Sequence, residues 1–248
     1  DVVERSASLS AGVGVTTVHS PHSIPDGPWQ SLLAHALTLI DEIAEHGRSD
    51  PFWTFGGGTV LMLRYGHRLS KDIDIFVPDP QYLGFVNPRI SDVASNITTE
   101  YEEHAQFVKL LLPEGEIDFV VSSNLTDPGY DQWTLLDHPV KVETAAEIVA
   151  KKMWHRGDRA TARDLFDLSL VIEREPAALL TAGEFLIRHR DTFLEQLATR
   201  DTFIRQGFSD VQTLDYAPTF DHAVALATEF LREIPEGELA RTPRPRRR

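Results

Sequence analysis

The sequence predicts an α+β protein in which a mixed sheet with flanking helices precedes a C-terminal helical bundle. Period-two alternation in the first half predicts several strands, and a glycine turn joins one of them to a helix. From residue 145 onward the apolar residues recur at helical spacing. We therefore expect an α/β domain over residues 1–125 and a helical domain over residues 126–248.

The predicted elements begin with a helix. Residues 1–27 are rich in Ser, Gly, Val and Pro and predict an irregular or strand-like lead-in. Apolar residues follow at helical spacing from Pro28 until Gly47 ends the helix. The aromatic segment from Phe52 to Phe55 predicts a short strand. Its aromatic side chains are expected in the core rather than as platforms for nucleic-acid bases.

A run of three glycines follows that strand. Gly56-Gly57-Gly58-Thr59 precedes a helix-forming segment that continues to Tyr65. Backbone N–H groups at such a turn, together with a threonine hydroxyl, can approach a triphosphate. The spacing matches neither a Walker loop nor a dinucleotide-binding fingerprint. On its own, a glycine turn of this kind is usually structural.

The next strand carries two acids. Asp72-Ile-Asp-Ile-Phe-Val77 alternates with period two, so we expect Asp72 and Asp74 to share one face of the strand. Two carboxylates at this spacing can bind one hard cation or bridge two. A lone pair of this kind is also common on exposed strands.

A predicted hairpin brings in a third acid. Segments 107–112 and 116–121 read as strands joined by a turn over residues 113–115. Asp118 has the same apolar flanks as Asp74, so a third carboxylate could join the same sheet face.

A polar stretch over residues 88–96 predicts a helix. Further helices are predicted over residues 145–154, 161–173, 182–198 and 220–234.

The composition of the chain excludes several classes of enzyme and of metal site. The chain has no cysteine, which excludes disulfides and thiolate chemistry and favours hard cations as metals. Its histidines lack zinc-hydrolase spacing, and no Gly-x-Ser-x-Gly turn is present. The sequence shows no membrane-length apolar run and no signal-peptide pattern at its start, so we expect a cytoplasmic protein.

The net charge of the chain affects which partners it can bind. A formal net charge of −14 opposes general attraction to nucleic acid. An RNA partner would need a local basic surface, for which residues 151–163 and the Arg-rich terminus over residues 241–248 are the candidates. A solvated, disordered end is the simpler interpretation of that terminus.

Two blocks of sequence resemble a known family. Gly57-Gly58-Thr59 followed by residues 67–76, His-Arg-Leu-Ser-Lys-Asp-Ile-Asp-Ile-Phe, is similar to the first motif of the AbiEii/AbiGii nucleotidyltransferase toxins, within the polymerase-β nucleotidyltransferase superfamily. Residues 147–153 and 163–168, which include Lys152 and an Arg-Asp-Leu-Phe-Asp-Leu segment, resemble the downstream motifs of the family. The likeness covers about residues 52–170.

The resemblance implies transfer of a nucleoside monophosphate from an NTP to an acceptor hydroxyl, the EC 2.7.7 type of reaction, with Mg²⁺ or Mn²⁺. Asp72 and Asp74 would then hold the ion on the triphosphate, and Asp118 would complete a second metal site. The remaining expected contacts to the nucleotide come from Gly57, Gly58, Thr59, Arg68, Ser70, Lys152 and Asp164. Lys152 and Asp167 are expected among the catalytic residues, and Asp167 could pair with Lys152, orient it, or meet the nucleotide sugar.

Several alternatives stay open from sequence. Lys152 could be a solvated helix lysine, and residues 163–168 could be a structural ion-pair cluster at a helix start. The family suggests RNA, in particular the tRNA 3′ end, as acceptor, and an antitoxin protein as a further partner. Nucleotidylation of a protein or small-molecule hydroxyl is a second hypothesis. A third is a nucleotide-binding regulatory module without turnover.

Overall fold

A computed structural model describes residues 26–47 and 49–235. Seven strands form one mixed sheet in the order β3-β4-β5-β2-β1-β7-β6. The strands are β1 (Thr54–Gly56), β2 (Ile73–Val77), β3 (Tyr101–His104), β4 (Phe107–Leu112), β5 (Gly115–Val121), β6 (Tyr130–Leu135) and β7 (His138–Glu143). At the centre, β2 runs parallel to β5 and antiparallel to β1, while β1 runs parallel to β7.

The two faces of the central strands differ in polarity. Along β2, the residues Ile73, Ile75 and Val77 are buried, while Asp74 and Phe76 lie on the other face and are less buried. The helix α1 (Pro28–His46) packs against β2 and β5. Apolar side chains thus point one way from the sheet and leave the acids on the opposite face, as the period of two requires.

The helices of the described residues follow in chain order. They are α1, α2 (Gly57–Tyr65), α3 (Asp92–Ile97), α4 (Ala145–Arg156), α5 (Ala162–Arg174), α6 (Pro176–Thr181), α7 (Gly183–Leu186), α8 (Arg190–Thr199), α9 (Asp201–Ser209) and α10 (Phe220–Glu233). The helices predicted over residues 28–47, 145–154, 161–173 and 220–234 are present with small shifts at their ends. After β7 every regular element of the described chain is helical.

The single helix predicted over residues 182–198 is wrong. The chain forms α7 and α8 there, separated by residues 187–189, and α6 ends at Thr181 just before them. The apolar spacing continues across the break because Leu186 and Phe193 both reach the core. Periodicity records which side chains are buried, and it does not record the turn between two short helices.

The sheet extends past residue 125. The hairpin of β6 and β7 was not predicted, although Trp133, Val140 and Val142 are buried at its alternate positions. Its turn places Leu136 at φ 50° and Asp137 at φ 64°. Hairpin turns with two such residues usually carry Asn or Gly, so the turn lacked its usual sequence signal. The edge strand β3 was also missed, because most of its residues are exposed and it shows no apolar alternation.

Two regions singled out from sequence, residues 1–25 of the lead-in and the Arg-rich terminus, lie outside the described residues. Within the part of the chain that is described, no helix combines the length and apolar character needed to cross a membrane.

Candidate active site

Two of the three predicted acids lie side by side. Asp74 on β2 is in register with Asp118 on β5, so that their side chains leave the same sheet face. Burial raises the pKa of Asp74. Burial, and then the charge of Asp74, raises the pKa of Asp118 to about 7. Oδ1 of Asp118 is buried and has no hydrogen-bond partner among the described residues. The pair therefore lacks a hydrogen-bond donor from the described chain at one oxygen, while the ammonium of Lys109 lies 3.4 Å from the other oxygen of Asp118.

Asp72 lies apart from this pair. It precedes the first residue of β2, and its Oδ1 accepts a hydrogen bond from the backbone N–H of Glu116 at 3.1 Å. Asp72, Asp74 and Asp118 do not bring three ligand atoms within 4.8 Å of one another. Among described residues the group that meets this criterion is Glu42, Glu45 and His46 on α1. The expected three-acid cluster is thus present as a pair with one acid at its margin.

The glycine turn is required by the packing of the protein itself. An added Cβ on Gly57 would lie 1.8 Å from Oδ2 of Asp74, and the φ of Gly57 is +74°. A Cβ on Gly58 would lie 2.5 Å from Nη2 of Arg68. Glycine is the residue that combines a left-handed backbone with so little space. The turn therefore lets charged side chains approach the start of α2, whether or not a phosphate also binds there.

Thr59 and Ser70 connect that helix to the acids. The Thr59 side chain is fully buried, and its hydroxyl lies 2.6 Å from the backbone carbonyl of Asp72 and 3.1 Å from Oγ of Ser70. These contacts hold the start of β2 against α2. In this arrangement Thr59 positions the acid strand, and the expected contacts of Thr59 and Ser70 with phosphate stay predictions.

Asp167 on α5 is the centre of an ion-pair network. Its carboxylate accepts hydrogen bonds from Nζ of Lys152 at 2.6 Å and from Nε and Nη2 of Arg68 at 2.8 and 2.9 Å. Burial alone would raise the pKa of Asp167, but Arg68 and Lys152 outweigh it and hold that pKa well below the ordinary value. Pairing with Lys152, one of the three roles left open for Asp167, is what the structure shows.

His67 completes this network. Burial lowers the pKa of His67, so the ring is neutral, and its Nε2 lies 2.9 Å from Oδ1 of Asp167. A neutral ring facing a carboxylate must carry its proton on Nε2. Both Arg68 and His67 are buried. The Arg68 guanidinium thus orients Asp167, and its expected contact with phosphate stays a prediction.

The second acid of α5 is fixed in a similar way. Asp164 receives hydrogen bonds from Nη2 of Arg156 at 2.6 Å, from Nζ of Lys152 at 3.1 Å and from Oγ1 of Thr161 at 2.7 Å. Lys152 and Arg156 are four residues apart on α4, and Asp164 and Asp167 are three apart on α5, so each pair shares a helix face. These contacts also fit the structural alternative for residues 163–168, an ion-pair cluster near a helix start.

A cleft of about 230 Å³ separates the acid face of the sheet from α4. It is lined by Gly57, Gly58, Asp74, Phe76, Asp118, Val120, Glu143, Ile148, Lys151, Lys152, His155 and Arg156. The predicted residues Arg68, Ser70 and Asp72 instead line a neighbouring cavity of about 520 Å³. The structure thus brings the acid pair, the glycine turn and Lys152 together at one cleft. Of the other predicted residues, Thr59, Asp164 and Asp167 line neither cavity.

Sequence reasoning missed a buried pair at this cleft. Glu143 and Lys151 are almost inaccessible, and Nζ of Lys151 lies 2.5 Å from Oε1 of Glu143. Burial raises the pKa of Glu143 to about 7, and its Oε2 has no partner in the described part of the chain. An added Cβ on Gly56 would lie 2.1 Å from that oxygen. No local motif predicts this pair. Glu143 is the last residue of β7, a strand that was not predicted from the sequence.

The basic stretch over residues 151–163 is partly neutralised, and its Arg163 is exposed. Lys151, Lys152 and Arg156 each form an ion pair with a buried carboxylate. Arg159 is exposed, with its Nε 3.7 Å from Asp158. The stretch therefore offers less free positive surface to a polyanion than its composition suggests.

A carboxylate pair with one buried oxygen that has no partner among the described residues faces cationic side chains across a cleft. This arrangement suits a polyphosphate bound together with a divalent cation, which is the site of a phosphoryl- or nucleotidyl-transferring enzyme. Residues 39–240 match the family described as "Nucleotidyl transferase AbiEii toxin, Type IV TA system". The match spans most of the chain, which belongs to this family of nucleotidyltransferase toxins.

Structural comparison gave matches at low sequence identity. A crystal structure of a candidate nucleotidyltransferase from H. pylori matches at 15% identity with a TM-score of 0.45, covering 83% of this chain and 95% of that one. JHP933 from Helicobacter pylori matches at 15% identity with a TM-score of 0.44, covering 83% of this chain and 92% of that one. A comparison with curated proteins gave no match.

Proposed function

We propose that this protein transfers a nucleoside monophosphate from an NTP to a hydroxyl of an RNA acceptor, in particular the tRNA 3′ end, with the help of Mg²⁺ or Mn²⁺. The observation that carries the proposal is the pairing of Asp74 with Asp118 on one side of the cleft and Lys152 with Arg156 on the other. The choice of RNA rests on the family, and an antitoxin partner is expected for the same reason.

The residues fit a divalent metal ion. Asp118 has a buried oxygen without a hydrogen-bond partner among the described residues, and burial disfavours the charged form of Asp74. Carboxylate oxygens are the ligands that Mg²⁺ prefers. Asp74 and Asp118 would hold the ion. Asp72, expected from the sequence as a third ligand, lines the neighbouring cavity and would have to reorient to reach the ion. When bound, the ion supplies electrostatic stabilisation of the triphosphate and lowers the pKa of the acceptor hydroxyl.

The side chains of α4 act on the other side of the nucleotide. Lys152 and Arg156 line the cleft and can neutralise negative charge that develops on the phosphates. Asp164 and Asp167 hold Lys152 in place from α5. The acceptor oxygen bonds to the α-phosphorus, the bond from that phosphorus to the bridging oxygen breaks, and pyrophosphate leaves. The hydroxyl proton passes to water.

The test uses the full chain with Mg²⁺, each α-labelled NTP in turn, and total cellular RNA. Label should enter tRNA-sized RNA with the wild-type protein, and Asp74→Asn should reduce this at least about hundredfold because it removes a charge at the centre of the cleft. Asp41→Asn, at an exposed position of α1, is the matched control and should retain wild-type transfer.

Other outcomes separate the alternatives. Label in protein with RNA absent would select nucleotidylation of a protein hydroxyl. NTP binding without release of pyrophosphate, in the presence of RNA and of protein acceptors, would select the regulatory module. Either result would contradict the proposed acceptor or the proposed turnover.

A further inference from the structure

Lys109 lies directly beside the acid pair. It is opposite Asp118 in the antiparallel register of β4 and β5. Its Nζ is 3.4 Å from Oδ2 of Asp118 and 2.6 Å from Oε2 of Glu116. Glu116 is two residues before Asp118 on the same strand, and therefore on the same face. The ammonium is thus held on the acid face of the sheet by two carboxylates.

The contacts of Lys109 are those of an ammonium cation. Two carboxylates lie within 4 Å of its Nζ, and opposite charges at this distance favour the charged form of a lysine. A hydrogen-bonded lysine on the middle of a strand has little freedom to leave. The acid face therefore contains a permanent positive charge that belongs to the protein.

The two oxygens of Asp118 have different surroundings. Oδ2 lies near the Lys109 ammonium, whereas Oδ1 is buried without a hydrogen-bond partner among the residues described. Asp118 and Asp74 line the same cleft on adjacent strands. Oδ1 is therefore the oxygen left to share a cation with Asp74.

Asp72 has other contacts and does not line the cleft. Its carboxylate accepts a hydrogen bond from the backbone N–H of Glu116 and lines the neighbouring cavity rather than the cleft. The cleft thus offers Asp74 and one oxygen of Asp118 to a divalent ion. A second ion on Asp118 would have to lie next to the ammonium of Lys109, and two cations so close repel strongly in a partly buried site.

We propose that Lys109 is a built-in cation of this centre, and that the Asp74–Asp118 pair holds one divalent ion rather than two. The inference rests on the proposed function, which supplies the reason for a metal at this pair. Lys109 acts as a positioning residue: it neutralises one side of Asp118 and confines the ion to the side shared with Asp74.

The test measures Mn²⁺ binding to the full chain without nucleotide, by electron paramagnetic resonance of the free ion. Ions are counted as the difference between each protein and the same protein carrying Asp74→Asn, which subtracts other sites such as the Glu42–His46 group. The wild type should bind one Asp74-dependent ion. Lys109→Met should bind a second ion, or bind the first about tenfold more tightly, because a repelling charge is gone.

Lys109→Arg is the matched variant, since it retains the charge and should bind like the wild type. A binding count of none or two for the wild type would overturn the proposal, as would a Lys109→Met protein that binds Mn²⁺ like the wild type. If Lys109→Met fails to fold, the wild-type count and the Lys109→Arg result still decide. If the wild type binds one Asp74-dependent ion but transfers no nucleotide, the proposed function is wrong and this inference stands. If it binds two such ions and transfers nucleotide, this inference is wrong and the proposed function stands.

Discussion

Replacing Asp167 by Asn tests whether the ion-pair network stabilises the fold. Asp167 is fully buried and binds Arg68 and Lys152, whose side chains are 4% and 13% exposed. Asn has nearly the same shape but no charge, so Arg68 would lose its carboxylate partner and Lys152 would keep only Asp164, at 3.1 Å. Breaking a buried ion pair by removing one partner costs about 3–5 kcal/mol. For a chain of this length that corresponds to a fall in Tm of about 6–20 °C.

The assay is urea denaturation followed by circular dichroism, with Asp221→Asn as control. Asp221 also pairs with an arginine, Arg205, but its side chain is 79% exposed, so its loss should leave stability within error of the wild type. A decrease below about 1 kcal/mol for Asp167→Asn would refute the reasoning, since it would mean that water or rearrangement compensates the buried cations.

The pH dependence has a defined sign. The pKa of Asp167 is lowered in the folded protein. Its contribution is therefore fully present above the unfolded pKa of about 4 and is lost as pH falls through the folded value. The difference in free energy of unfolding between the wild type and Asp167→Asn should therefore be the same at pH 5 as at pH 7. It should become smaller in stronger acid.

Three further predictions concern the cleft. Gly57→Ala should reduce nucleotide transfer about hundredfold, because the added Cβ displaces the carboxylate of Asp74. Gly84→Ala is the control and should transfer nucleotide like the wild type, because its added Cβ would have its nearest contact at 3.7 Å. Equal activities of the two variants would contradict this account. Thr59→Val should lower the free energy of unfolding by about 1–3 kcal/mol in urea titrations, because a buried carbonyl loses its donor, and Thr59→Ser should restore it. Burial raises the pKa of Glu143 from 4.5 to about 7, so the folded protein holds a proton that the unfolded chain releases, and stability should fall as pH rises between those values. Thermal melts of Glu143→Gln should show a flatter slope over that range, and an unchanged slope would count against the assignment.

Local pattern in the sequence determined most of the central architecture. Alternation placed Asp74 and Asp118 on polar strand faces. The structure shows a two-residue turn in the β4–β5 hairpin instead of the predicted turn over residues 113–115, and this shorter turn sets the register in which Lys109 faces Asp118. The helices α4, α5 and α10 and the glycine turn could be located for the same reason. Periodicity and turn chemistry are properties of neighbouring residues, so they can be read without a structure.

The division of the predicted site was decided by tertiary packing. Asp72 and Asp74 are two residues apart, yet a backbone hydrogen bond from β5 leaves Asp72 beside a different cavity. Likewise, the partners of Asp167 come from segments about 100 residues upstream and 15 residues upstream. Only the packing of α5 against α4 and against the segment between α2 and β2 selects them. Contacts of this kind depend on the distances between elements and on burial, which leave no periodic trace in the chain. Residue types and their spacing thus determined the chemistry available to this protein, and the packing of its helices on the sheet decided which charges meet.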